Sequence, residues 1–299
     1  MRFININVFE MDAFKHAAIP LVGDAQVTLQ SLAKLLEGYR TADEYQQQVK
    51  RYNTEWDAEV TRVYNLEHGP LMSQGELIGV ANELSDPRDV VMSAAGSFPG
   101  DLHKLWRTRD HKGYHLEYGY STMGYEIAGG LGIKLADPSR DVFVMVGDGS
   151  FQMMNTEIIT SIQEGMKIII MLANNNGYSS VGRVSEQVGS EGFGCHYRYR
   201  GQSGWYDGGV LPVDFVKMAE GMGAIGIRAN TRDELADAVQ RAKQADRTVV
   251  IVTETDWHER VPGYGFWWDM ATAHVSEMPE VNAARQQYEA EKKNQRYLI

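Results

Sequence analysis

Val142–Val146 and Lys167–Ala173 are short, almost uninterrupted apolar stretches rich in branched side chains. Neither alternates with polar residues, so neither can leave one face in water. Runs of this kind are strands of a parallel sheet covered on both sides. The surrounding sequence alternates regularly between two periods. Helices are expected over Gly75–Leu84, Tyr125–Leu135, Asn155–Gln163, Val213–Met222 and Thr231–Ala242, and strands over Asp89–Ser93, Ala224–Arg228 and Thr248–Thr253. Strands separated by helices predict an α/β fold with a doubly wound, mostly parallel sheet and helices on both faces.

Both apolar runs end in polar turns, Gly147-Asp148-Gly149-Ser150 and Asn174-Asn175-Asn176-Gly177. In a parallel sheet both turns fall on the carboxyl edge, where ligands bind. Asp148 and Asn175, 27 positions apart, can therefore meet. A carboxylate with an amide oxygen is a hard donor set, suited to Mg²⁺ or Ca²⁺. Glycines beside the acid let a phosphate approach the backbone, and the helix start after Ser150 offers free N–H groups to an anion. Gly-Asp-Gly alone would be a tight strand–turn–helix with Asp148 as N-cap. The second polar tip at a matching strand end favours a metal–diphosphate seat.

The chain opens with a strand at Phe3–Val8, a turn at Pro20–Asp24 and a helix from Asp24 to Leu36. That segment is too small for a domain, and it is expected to be the end of one. The expected organisation is a middle-domain remnant over 1–40, a helical connector over 41–71, a diphosphate- and metal-binding domain over 72–256 and a C-terminal extension over 257–299. Gly182–Gly209 is expected to be a long functional loop.

Asp plus Glu total 40 against 29 Lys plus Arg, a net charge of -11. Nucleic acid and anionic membrane surfaces, which need clustered positive charge, are not expected partners. The longest apolar stretch is far short of a membrane span. A single cysteine, Cys195, permits no disulfide within the chain, and a cytoplasmic setting is expected. The thiol is expected to be inert.

Gly147–Ser150 with Asn174-Asn175, together with Gly119–Ala128 upstream, resembles the fingerprint of thiamine diphosphate-dependent enzymes. The resemblance implies Mg²⁺ ligands at Asp148, Asn175 and the carbonyl of Gly177. It implies diphosphate contacts from the Ser150 hydroxyl beside Gly147 and Gly149. It also implies an apolar wedge under the cofactor at Met123 and an acceptor for the aminopyrimidine at the Ser121 carbonyl. Gly96 and Ser97, beyond the strand ending at Ser93, are placed to reach the diphosphate or to form a plain turn.

A narrower resemblance rests on Leu102–Trp106, Gly113–Tyr120, Gly192-Phe193-Gly194 with Arg198-Tyr199-Arg200, and Val261–Tyr264 with Trp267-Trp268-Asp269. Over nearly the whole chain these segments look like the trihydroxycyclohexane-1,2-dione hydrolases of myo-inositol catabolism, with cyclohexane-1,2-dione hydrolase a near neighbour. The implied activity is ring opening of a cyclic 1,2-dione, trihydroxycyclohexane-1,2-dione to 5-deoxyglucuronate, with thiamine diphosphate and Mg²⁺. Acetolactate synthesis or 2-oxoacid decarboxylation in the same superfamily, and a non-catalytic diphosphate-binding subunit, are the alternatives. Some members also carry FAD, to which no residue here is assigned.

Those enzymes are about twice as long, and their cofactor-activating Glu lies in a pyrimidine-binding domain. No residue here takes that role, and Glu117, Glu126 and Glu157 are expected to be structural. The resemblance therefore implies a partner domain or subunit supplying the Glu, within a homo- or hetero-oligomer. His103, His111, His115, His196 and His258 are candidate acid–base groups, with His103 foremost. Arg183, Arg198, Arg200, Tyr197 and Tyr199 are expected to line the pocket or to form a solvated loop. Trp257, Trp267 and Trp268 are expected to pack the C-terminal extension onto the core.

Overall fold

The computed structural model describes residues 3–263 and 270–295. Tyr264, Trp267, Trp268, Asp269 and the chain end at 296–299 lie outside the described residues. Contacts divide the chain into one unit of residues 1–56 with 287–299 and a larger one of residues 57–286.

In the first unit, β1 (Ile4–Asn7) and β2 (Ile19–Val22) pair in parallel, with Ile4 opposite Ile19 and Asn7 opposite Val22. Pro20, expected in a turn, lies inside β2. On a two-stranded ribbon proline can sit where no partner needs its missing N–H. The helix Ala25–Leu35 follows, with the Asp24 side chain capping it by accepting from the Val27 N–H at 2.9 Å. The expected connector is the helix Asp43–Tyr64.

The larger unit holds six strands in the order β4-β3-β5-β6-β8-β7, and every pairing is parallel. They are β3 (Val90–Ser93), β4 (Tyr114–Leu116), β5 (Val142–Gly147), β6 (Ile169–Asn174), β7 (Ile225–Arg228) and β8 (Val249–Glu254). The two apolar runs are the neighbouring central strands. Phe143, Val144, Met145 and Val146 on β5, and Ile169 to Ala173 on β6, are fully buried. Each strand needs helices on both faces, and the helices Tyr125–Ala136, Phe215–Gly221 and Arg232–Gln244 are among those that supply them. Gly130 on the first of these lies so close to β5 that a Cβ would collide with Val144.

From β3 the chain moves outward to β4, then returns across β3 to β5 and continues the other way to β6. The order reverses between β3 and β5, and such a switch point opens a crevice at the carboxyl ends of the two strands. β4 is three residues long and half exposed, so no periodicity announces it. The stretch expected to be irregular begins with a helix, Ser179–Gln187, whose small and polar residues resemble a loop in composition. Among the described residues, no helix is long and apolar enough to cross a membrane.

Candidate functional site

One cavity of about 460 Å³ opens at the carboxyl edge of β3, β5 and β6. It is lined by Gly96 and Ser97 beyond β3, by Ser121 and Met123 in the segment leading to the helix Tyr125–Ala136, by Gly147, Asp148, Gly149 and Ser150 at the tip of β5, and by Asn175 and Gly177 at the tip of β6. All ten residues singled out for metal and cofactor contacts thus line one pocket. The register explains it. Gly147 pairs with Ala173, so the turns that follow leave the sheet side by side.

Asp148 is fully buried. Its Oδ1 accepts from the Gly149 N–H and its Oδ2 from the Gly177 N–H, both at 2.8 Å. Burial drives the carboxyl up to about 7, against the pull of these backbone donors. A nearby cation would reverse that shift. Asn175 donates its Nδ2–H to Ser179 Oγ at 3.0 Å, which fixes the amide and leaves Oδ1 buried with no hydrogen-bond partner. Buried amide oxygens are rarely left unpaired, and a hard cation satisfies one. At Gly177 a Cβ would collide with the Cys195 carbonyl, so only glycine closes this turn.

No cluster of three or more His, Cys, Asp and Glu gathers among the described residues. One carboxylate, one amide oxygen and a main-chain carbonyl form a sparse donor set. That suits Mg²⁺, which keeps waters and binds through one or two carboxylates plus the phosphates of its ligand. Gly147 and Gly96 leave open space where a Cβ would stand, and Gly96 has φ +84°. Main chain there can approach an anion closely. The residues present fit a Mg²⁺-bridged diphosphate.

Three loops of this cradle meet on one buried acid. Glu126 accepts from the Ala95 N–H at 3.2 Å, from the Gly124 N–H at 2.9 Å and from the Ser150 hydroxyl at 2.8 Å. Glu126 is fully buried, and that burial raises its carboxyl above the usual range. Ser150 Oγ also accepts from the Gly124 N–H at 2.8 Å. Its hydrogen is thereby committed to Glu126 while that group is ionised. Ser97 is similarly engaged, donating to Gln74 Oε1 at 2.8 Å.

The segment carrying Ser121 and Met123 is pinned by Glu117, whose carboxylate accepts from the Tyr120 N–H at 3.0 Å and the Thr122 N–H at 2.7 Å. Those backbone donors, Thr122 first, hold Glu117 below the usual carboxylate range. Ser121 has φ 52°, a strained left-handed conformation for a serine. Glu117 and Glu126 thus each hold loop backbone beside the cavity.

His103 is exposed on the helix Phe98–Leu105, its ring 5.5 Å from that of Tyr114, and it does not line the cavity. Asp101 and Lys104 on the same helix do line it, so His103 stands on the face turned from the pocket, which sequence order alone does not reveal. None of the other four histidines lines the cavity; His196 lies against Trp257 with ring centroids 3.7 Å apart. Trp257 is buried, as expected, and Cys195 is buried with its thiol pushed up. Of the expected loop residues only Arg183 reaches the cavity. Arg200 instead pairs with Tyr206, its guanidinium 4.4 Å from the ring centroid. Gln74, Asp101 and Lys104 also line the cavity. They had no motif to mark them, although an acid one turn into a helix beginning at a strand tip is a detectable signal.

Residues 94–253 match the family described as thiamine pyrophosphate enzyme, C-terminal TPP binding domain. Among curated proteins, the 3D-(3,5/4)-trihydroxycyclohexane-1,2-dione hydrolase of Bacillus subtilis is 38% identical, across 98% of this chain and 48% of that protein. The protein of the same name from Clostridium tetani is 33% identical, across 95% of this chain and 48% of its own length. The chain spans about half the length of these relatives. Among solved structures, the thiamine diphosphate-dependent 4-hydroxybenzoylformate decarboxylase of Rhodococcus jostii superposes with a TM-score of 0.55 at 21% identity, covering 65% of this chain and 34% of that one. This last likeness concerns the fold.

Proposed function

Since the chain belongs to the thiamine pyrophosphate enzyme family through its C-terminal TPP binding domain, we propose that it is the diphosphate-binding half of a C–C hydrolase opening a cyclic 1,2-dione. The substrate is trihydroxycyclohexane-1,2-dione and the product 5-deoxyglucuronate. One water is consumed. The ring bond between the adjacent carbonyl carbons breaks, one carbon becoming a carboxylic acid and the other an aldehyde. The bound cofactor supplies an electron sink for that bond.

The observation that carries this reading is the buried, unpartnered Asn175 Oδ1 in the same cavity as Asp148 and Gly177. Asp148, Asn175 and the Gly177 carbonyl hold Mg²⁺. Gly96, Gly147 and Gly149 bring main chain against the diphosphate. With its hydroxyl turned to Glu126, Ser150 serves as a brace between loops, and its own diphosphate contact falls to the backbone. Met123 supports the cofactor from below, and the strained Ser121 presents its carbonyl to the aminopyrimidine. A pyrimidine-binding domain or subunit supplies the activating Glu, and the assembly works in the cytoplasm.

Calorimetry with Mg²⁺ and thiamine diphosphate tests this. Asp148→Ala should weaken Mg²⁺-dependent cofactor binding by more than about 100-fold, since even outer partners of a metal site are worth about 10–100-fold. Unchanged binding would refute the assignment. Turnover of a cyclic dione but not of pyruvate, by the complete assembly, separates the hydrolase from acetolactate synthesis or decarboxylation.

A further inference from the structure

Arg183 projects from the helix Ser179–Gln187, which begins just after the Asn174–Gly177 turn, and it lines the same cavity as Asp148. Its Nε is buried and has no hydrogen-bond partner. The carboxylates that could pair with it are engaged elsewhere. Asp101 accepts from Gln74 Nε2 at 2.7 Å, and its Oδ1 lies 3.8 Å from Lys104 Nζ. Glu186 lies 3.6 Å from Arg260 and takes the Trp257 Nε1–H at 3.4 Å.

Asp101 lies in the field of Lys104, Arg183 and Arg260, and Arg183 in that of Arg260, Asp101 and Glu186, within a chain of net charge -11. Burial lowers the Arg183 guanidinium to about 10, so it remains charged at neutral pH. A buried guanidinium donor without an acceptor is costly. An acceptor brought by a ligand in the cavity would satisfy it.

We propose that Arg183 is the carboxylate subsite of this pocket, taking on its Nε–H and a terminal N–H the carboxylate that ring opening creates. This rests on the dione hydrolase reading. The substrate ring is neutral and the product is an anion, so a guanidinium fork here binds product more tightly than substrate. Its planar donors match a carboxylate in two parallel hydrogen bonds. As the ring bond between the carbonyl carbons breaks and water adds, the acid formed loses its proton to solvent and its negative charge develops beside Arg183. A donor waiting where charge appears favours the step that makes it.

The test uses the full chain in its catalytically complete assembly, loaded with Mg²⁺ and thiamine diphosphate. The probes are D-glucuronate, an open-chain acid when its ring opens, and neutral D-glucose, both followed by calorimetric competition. Arg183→Gln should weaken glucuronate binding at least about tenfold, the usual range for a lost charged hydrogen bond. Glucose and cofactor affinity should stay unchanged, and Arg183→Lys, which keeps the charge, should fall between. Equal glucuronate affinity in wild type and Arg183→Gln overturns the proposal. So does a parallel loss of thiamine diphosphate affinity, which would place the guanidinium on the diphosphate. Failure of the wild type to bind cofactor would instead sink the underlying function, so the two failures are distinguishable.

Discussion

The opening strand–helix segment and the six-stranded domain use the same kinds of residues and reach opposite packing. In the helix Ala25–Leu35, Leu35 is 83% exposed and Val27 61%, and Ile4 on β1 is 64% exposed. Among the described residues from Phe3 to Leu36, Ala13 is the one buried hydrophobic. On β5, by contrast, five consecutive apolar side chains are completely buried. The difference is coverage. A two-stranded ribbon flanked by the helix Ala25–Leu35 and the short helix Glu10–Ala13 covers little of its apolar surface, and each large aliphatic left in water forgoes about 1.5–3 kcal/mol of burial. The proposed partner half, packed here, would cover such side chains. The cavity holding Asp148 and Asn175, in turn, lies within the larger unit.

That contrast can be broken by mutation. The largest effect is expected at Phe143→Ala, which should cost about 3–5 kcal/mol of stability because the side chain is wholly enclosed between sheet and helices. A shift in denaturant midpoint at unchanged slope would show it, and a loss below about 1 kcal/mol would mean the central strand is not sealed.

Next comes pH. Asp101 is raised from 3.8 to about 6, chiefly by burial. Its unfolded form therefore releases its proton first as pH rises. The contribution is fully present below about pH 4 and is lost as pH climbs through about 6, at about 1.4 kcal/mol for each tenfold difference in proton affinity between folded and unfolded chain. Asp101→Asn should flatten the stability profile between those values, and an unchanged profile would mean the carboxyl is solvated in solution.

The smallest effect is expected at Leu35→Ser. An exposed leucine should change the stability of the isolated chain by about 0.5 kcal/mol or less, while the same substitution should weaken assembly with a pyrimidine-binding half. A large loss in the isolated chain would show that the helix already packs against something.

Much of the larger unit was legible because burial on both faces leaves a signature. Val142–Val146 and Lys167–Ala173 fit central strands, and the polar turns after them pointed to the edge where Asp148 and Asn175 line one cavity. What stayed hidden lacked periodicity or depended on distant neighbours. β4 is too short to show alternation. The helix Ser179–Gln187, which overlaps the start of the expected loop, has a composition that suits either state. His103 follows a ligand-edge strand in sequence, yet the helix carries it away from the cavity. Conversely, the commitment of the Ser150 hydroxyl to Glu126 joins residues 24 positions apart. It depends on the approach of two loops that neither local motif specifies.

The Asn174–Gly177 turn is also fastened from its outer side. Tyr178 donates its N–H to the Cys195 carbonyl, and Tyr197 donates its N–H to the Asn176 carbonyl, both at 2.8 Å. Gly177 and His196 form an antiparallel bridge. The strand tip is therefore half of a clasp whose other jaw is the partly buried segment Cys195–Tyr197, further along the chain. Traction on that segment, from a binding neighbour or a cut in the chain near Phe193, would be transmitted through these hydrogen bonds to the turn that carries Asn175.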